Sequence, residues 1–264
     1  MKATATFALV AVAVPTILSV ACKKETPVAL AESASALSAA LPPPTAKVVP
    51  YDVDPASKTS IDMPGLKEHI VADTTAATGH IDVDLMNLAN SRGEVKVDLT
   101  TLKTHTFHDE HDESQTNHAH NWLQVGDQAT ADEKKQFQYA DFALQSLTGI
   151  SATDLSKVAP TKEGSEDVRT ITATVHGDFL VHGHKAAKDV PVEVKFHYPA
   201  GAPADSKPTK IDIKSTSPLK VTLKEHDVHP RDAVGKLTDW TTNLVTKVAE
   251  TADITLDLHA NLKN

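Results

Sequence analysis

Residues 176–196 read HGDFLVHGHKAAKDVPVEVKF, and this stretch decides how the rest of the chain is read. Val175, Phe179 and Val181 fall on one parity, and Val190, Val192, Val194 and Phe196 share a parity beyond a break. That two-residue period is the mark of half-buried strands, so the segment predicts a β-hairpin. Residues 183–189, GHKAAKD, read as its connection, with Gly183 free to take a positive φ and the rest polar enough to sit in water. Each arm has one apolar face only, so the pair needs a larger sheet to close over it.

The remaining chain supplies such a sheet. Tyr51–Asp54 and Ser57–Met63 read as an opening strand pair separated by Pro55. Residues 65–76 carry Leu66, Ile70 and Val71 and fit either a strand or a helical turn. Ile81, Val83 and Leu85 alternate inward, and after the polar turn Asn90-Ser91-Arg92-Gly93 so do Val95, Val97 and Leu99, giving a second hairpin. Residues 104–133 form a long polar stretch, and residues 136–149 return to Phe137, Phe142 and Leu147 as a strand. Ile211 and Ile213, then Leu219, Val221 and Leu223, give two short strands around Ser217-Pro218. Val234, Leu237, Trp240, Leu244, Val245 and Val248 recur at three- and four-residue steps, which predicts a helix inserted before the end. Residues 254–262, ITLDLHANL, alternate without a break. The sum is an all-β chain of eight to ten strands. Its expected fold is a closed antiparallel β-barrel with a C-terminal helical insertion, and a two-sheet sandwich is the other architecture this alternation serves.

Of the 264 residues, 40% are hydrophobic, enough for a sizeable core. The formal charge of −9 repels phosphate backbones, so nucleic acid is not an expected partner. Aromatic residues make up only 4%, so the core is mostly aliphatic.

The first 22 residues stand apart. Lys2, the apolar run Phe7–Val20 and the small Ala21 form a secretory signal. Leu18-Ser19-Val20-Ala21-Cys22 resembles the bacterial lipobox, whose cysteine is acylated and becomes the new N-terminus, although Ser19 stands where an aliphatic residue is usual. Cys22 is the only cysteine and has no disulfide partner in the chain, which favours acylation. Lys23, rather than aspartate, follows it, so in an organism with an outer membrane the anchor is expected there, with the domain facing the periplasm. Residues 23–50, rich in Ala, Ser, Pro and Glu, read as a disordered tether, and residues 51–264 as the folded domain.

The DPAS of residues 54–57, the GHIDVDL of 79–85, the VKVDL of 95–99 running into Leu102-Lys103-Thr104, and the HGDFLVHGHK of 176–185 together resemble the YceI-like family. Residues 177–183 are its most specific part, matching the family's Gly-x-Leu-Thr-Ile-x-Gly hairpin, and the resemblance runs from Tyr51 to Leu262. It implies an elongated, lipocalin-like barrel whose apolar lumen takes a polyisoprenoid or similar long-chain amphiphile. No other cofactor is implied. Val83, Leu85, Val97, Leu99, Phe179, Val192, Val194, Leu256 and Leu258 are the candidate lining, although the same alternation serves a barrel filled by its own side chains. The chain departs from the family in the length of residues 106–133 and in the helix at 234–248. A homodimer is compatible with this reading.

Histidines carry the second reading. His105, His108, His111, His118 and His120 lie close in sequence among Asp109, Glu110, Asp112 and Glu113, a donor set that suits zinc, copper, nickel or iron. Their spacing is not the His-Glu-x-x-His arrangement, and a solvated acidic loop is the plainer alternative. The pairs His182/His184 and His226/His229 read as surface histidines beside turns. The chain has no Gly-x-Ser-x-Gly elbow and no phosphate-cradling glycine loop, so an enzyme is not expected.

Overall fold

The structure, a computed structural model, describes residues 47–65, 69–203, 205–229 and 249–263. Thirteen strands occur among the described residues: β1 (Val48–Val53), β2 (Lys58–Pro64), β3 (His69–Thr74), β4 (Ala77–Asp84), β5 (Arg92–Asp98), β6 (Lys103–Thr104), β7 (Tyr139–Thr148), β8 (Thr161–Glu163), β9 (Glu166–Val181), β10 (His184–Pro199), β11 (Lys210–Ser215), β12 (Leu219–Thr222) and β13 (Thr251–Leu262). Two helices, α1 (His111–Trp122) and α2 (Ala131–Phe137), lie between β6 and β7. Neighbours run β1-β4-β5-β7-β9-β10-β11-β13, and β13 pairs back to β1, so eight antiparallel strands form a closed ring. The expected lipocalin-like β architecture is what the chain adopts, and the sandwich is not. The helix expected at 234–248 lies outside the described residues.

Several short strands are halves of longer ones. β1 and β2 do not pair with each other, contrary to the expected opening pair. Both lie along the same edge of β13, β1 at residues 260–262 and β2 at residues 253–257. Across the break, Asp54 accepts the Ala56 N–H at 2.8 Å, and the Ser57 hydroxyl both accepts the His259 N–H (2.9 Å) and donates to the His259 carbonyl (3.1 Å). A side chain thus stands in for the interrupted ladder. On the other edge of β13, β11 and β12 follow one another in the same way, with Ser217-Pro218 between them. β1 also begins at Val48, three residues inside the stretch read as tether.

The central hairpin is longer than its sequence suggests. β9 and β10 pair over all sixteen residues of each, and the turn is only His182-Gly183, not residues 183–189. Both turn residues have positive φ, 50° and 75°, as a type I′ turn demands. Residues 184–189 continue the ladder. The ambiguous stretch 65–76 contains strand β3, and residues 161–166 make a small hairpin of β8 on β9.

One half of the barrel is solid. Val49, Tyr51, Ile81, Val83, Leu85, Leu88, Ile171, Phe196 and Ile211 belong to a single buried cluster there. Residues 150–158 fold into it, burying Leu155, whose carbonyl accepts from the Arg169 guanidinium at 3.1 Å while Arg169 lies 4.8 Å over the Tyr198 ring. The Tyr51 hydroxyl donates to the Pro208 carbonyl at 2.9 Å. Burial, then the neighbouring Tyr198, push that phenol above its ordinary pKa.

Close approach requires glycine at four positions, most severely at Gly79 and Gly177. At Gly79, φ is +139° and an added Cβ would lie 2.0 Å from the Glu94 carbonyl oxygen; at Gly177 it would meet the Phe142 ring at 2.4 Å. Gly79→Ala is expected to cost about 3 kcal/mol or more, since backbone rather than a flexible side chain must yield. Ser57→Ala is expected to cost about 1–2 kcal/mol by orphaning the ladder groups of His259. Urea denaturation of each variant checks both, with Gly164→Ala, where an added Cβ meets nothing within 4 Å and only the positive φ of 59° is strained, as the milder comparison.

Candidate functional site

The other half of the barrel is hollow. A cavity of about 190 Å³ lies between the faces of β2, β3, β7, β9, β12 and β13. Its wall is aliphatic, with Ile61, Met63, Val97, Val221, Ile254 and Leu256 among its residues. Ala119, Trp122 and Leu123 of α1 and its C-terminus close it on one side, and Leu223, His226 and Val228 on another.

α1 falls in the stretch that reads as a polar loop. Its apolar contacts come from Ala119, Trp122 and Leu123, with Gln115 buried one turn earlier, a spacing of four, three and one. Asp112 and Glu113 in the first turn complement the helix dipole. Polar bonds fasten the helix to the barrel rim. The Thr104 hydroxyl donates to the Asp112 carbonyl (2.7 Å), the Thr116 hydroxyl accepts from the Thr104 N–H (2.9 Å), and the Thr106 hydroxyl donates to Gln115 Oε1 (2.7 Å). α2 starts on a capping box in which Thr130 and Glu133 satisfy each other's backbone N–H groups, a Thr-x-x-Glu signal present in the sequence.

Histidines expected at the surface are instead built into this end. His182 is 3% exposed and His226 fully buried, while their partners His184 and His229 keep more exposure. The His182 ring stacks on Phe137 at 4.1 Å between centroids, with Nε2 2.7 Å from Gln124 Oε1 and Nδ1 3.2 Å from the His226 carbonyl. Gln124 in turn donates to Glu133 at 2.6 Å, so α2, the β9–β10 turn and the turn after β12 are linked. The His226 ring meets the Phe179 ring edge-on at 5.4 Å, and its Nδ1 lies 2.9 Å from the His184 carbonyl. Burial, only partly offset by that bond, lowers the His226 pKa below the ordinary 6.5.

Of the nine candidate lining residues, Val97, Leu99, Phe179, Leu256 and Leu258 are on the cavity wall. Val83 and Leu85 are not; they pack in the solid half. Val192 and Val194 also miss the cavity, Val192 sitting in the buried cluster around Phe179 and Val194 packing against both clusters. Parity shows which face a residue occupies but not its height in the barrel. The reading missed the contributions of β2, β3, β12 and α1.

The five histidines of the metal reading do not come together. His111 pairs with Asp109 at 2.8 Å, His120 Nε2 lies 3.0 Å from the Leu102 carbonyl, and the rings of His105 and His108 are 6.4 Å apart. Among the described residues no three His, Cys, Asp or Glu side chains are placed to hold a metal ion. Helix α1 is the reason, because it spreads His111, His118 and His120 along and around its surface instead of leaving them on a loop free to converge.

The buried His226 has a consequence for stability. Its folded pKa lies below its ordinary value of 6.5, so below that pH the unfolded chain binds a proton that the folded one refuses, and stability falls on acidification. The His226→Phe variant is expected to show a shallower loss of stability than the parent between pH 6.5 and 5, read from urea midpoints across that range.

No curated protein sequence matches the chain. Among solved structures, BcnA of Burkholderia cenocepacia superposes with a TM-score of 0.50 at 15% identity, covering 80% of this chain and 100% of that one. A polyisoprenoid binding domain from Saccharophagus degradans, implicated in plant cell wall breakdown, gives 0.48 at 14% identity over 81% of this chain and 99% of that one. The first of these likenesses is one of fold. The sequence profile of the YceI-like domain matches residues 51–260, the whole ring of strands but for its outermost residues. The chain therefore belongs to the YceI-like family.

Proposed function

We propose that this protein binds the apolar chain of an isoprenoid or comparable long-chain amphiphile inside its barrel, as a carrier or store rather than an enzyme. The observation that carries the reading is the contrast between the two halves of one barrel, one filled by its own side chains and the other enclosing an apolar cavity. Membership of the YceI-like family supports it. Anchoring through an acylated Cys22, at the periplasmic side of an outer membrane, is part of the same proposal and rests on residues 18–23.

Size limits how the ligand enters. An apolar cavity of about 150 Å³ holds one benzene ring, so 190 Å³ corresponds to about one and a half isoprene units. A longer chain enters by displacing wall side chains. Met63, flexible and unbranched, and the α1 residues that touch the cavity are the movable parts of the wall. For a ligand of twenty carbons, about 0.3 kcal/mol per heavy atom gives about 6 kcal/mol, or tens of micromolar.

Native mass spectrometry of the purified full-length protein, before and after addition of geranylgeraniol, tests the reading. One bound prenyl chain per protein is the expected result; an empty protein that takes up no added prenyl chain overturns it. Ile254→Trp, which fills the cavity from β13, is expected to lower uptake by at least about tenfold with the unfolding midpoint retained or raised.

A further inference from the structure

In the solid half of the ring every pair of neighbouring strands is joined by ladder hydrogen bonds, and at the hollow end one pair is not. β9 pairs with β10 along its whole length on one edge. On the other edge β11 covers only Val192–His197, followed by a bond from the Thr216 N–H to the Pro191 carbonyl at 2.8 Å. The chain then turns through Ser217-Pro218, and β12 pairs with β13 alone. Past Pro191, toward the turn, this edge of β10 has no strand partner among the described residues.

Backbone direction makes the gap explicit. Pro191 and His197 both turn their carbonyls toward β11, so the odd-numbered residues Ala187 and Asp189 present N–H and C=O to that same side. At the end of β12 the Leu223 N–H donates to the Glu250 carbonyl, so odd-numbered residues face β13, and Lys220 and Thr222 turn their backbone groups toward β10. Two strand edges thus face each other without a ladder between them. Side chains hold them together instead. Val190 shares one buried cluster with Leu219, Val221 and Phe179, and these last three also line the cavity. At the rim the Lys188 ammonium pairs with Glu225 at 2.7 Å, His226 Nδ1 lies 2.9 Å from the His184 carbonyl, and His182 Nδ1 lies 3.2 Å from the His226 carbonyl.

The short strand β6 at the same end is treated differently. Helix α1 covers it, accepting the Thr104 N–H on Thr116 Oγ1 (2.9 Å) and the Thr104 hydroxyl on the Asp112 carbonyl (2.7 Å), with His120 Nε2 3.0 Å from the Leu102 carbonyl. Separating two laddered strands breaks a row of backbone bonds, whereas parting β10 from β12 breaks none.

We infer that the barrel wall parts between β10 and β12, and that an apolar chain enters the cavity sideways through this seam rather than from beneath α1. This rests on the proposed lumen binding and names its route. The Lys188–Glu225 pair is the clasp at the outer end of the seam. Behind it the entering chain meets Leu219 and Val221, which are already cavity wall, so the path from rim to lumen is apolar. Met63 and the α1 residues then yield from within to lengthen the space.

Ala187 and Thr222 are both exposed, one on each side of the seam. In the full-length protein, Ala187→Cys/Thr222→Cys joined by a short bismaleimide closes the seam, and each single variant treated alike controls for reaction at Cys22. Thr104→Cys/Thr116→Cys, at positions whose hydroxyls are 2.9 Å apart, fastens α1 by a disulfide. Uptake of added geranylgeraniol is followed in time by native mass spectrometry. Linking the seam is expected to slow uptake about tenfold, and fastening α1 to leave it within about twofold of the parent. Uptake unchanged by the seam link, or stopped by the α1 disulfide, overturns the route and leaves lumen binding standing; a parent protein that binds no geranylgeraniol overturns lumen binding and the route with it. Glu225→Ala, at an exposed position, gives a second reading without a link. It is expected to raise the rates of uptake and release alike by about threefold, with Kd unchanged. Parent rates in that variant overturn the clasp.

Discussion

The C-terminal strand is hydrogen-bonded along both of its edges, and the rest of the molecule depends on that. β13 receives β11 and β12 on one side and β1 and β2 on the other. Remove it and the barrel becomes an open sheet with two long unpaired edges and an exposed apolar face. Because its inward residues run from Ala252 through Ile254, Leu256 and Leu258 to Ala260, the same strand passes from the hollow half into the solid half. Closure of the ring and shape of the interior are thus set by one alternating segment.

The two ends of the barrel are specialised by what is added to the ring. At the solid end a loop brings Leu155 into the core, and Arg169 bonds to its carbonyl and lies over a tyrosine face. At the hollow end the additions are α1 and the turn after β12, which cover the cavity without filling it. Polar bonds on the far side of the cover, from Thr104 and Thr106 to α1 and from His182 to Gln124, hold it in place. The inner surface of the cavity is left almost wholly apolar.

Much of this was legible from residue alternation. The period of two in residues 79–99, 171–196 and 254–262 announces an all-β chain, and the motifs along it resemble the family that the sequence profile confirms. What alternation could not show was height along the barrel, which is why Val83 and Leu85 looked like cavity lining and are core. α1 was obscured because only Ala119, Trp122 and Leu123 mark its inner face amid ten polar positions, although the Thr130–Glu133 capping box was there to be read for α2. The burial of His182 and His226 depends on where the hairpin turns. Reading seven residues as a loop placed His182 beside solvent, whereas a two-residue turn at positive φ brings its ring against Phe137 and Gln124.

The route of the chain through β1 and β2 separates two things that a single unbroken strand would join. Val48 enters the ring at the solid end, and only after the break at Asp54–Ser57 does the chain reach the cavity wall through Ile61 and Met63. The break is held by side chains, Asp54 on the Ala56 N–H and Ser57 on His259, and not by ladder bonds between β1 and β2. Movement of Met63 and its strand against the cavity is thereby uncoupled from the packed core around Val49 and Tyr51.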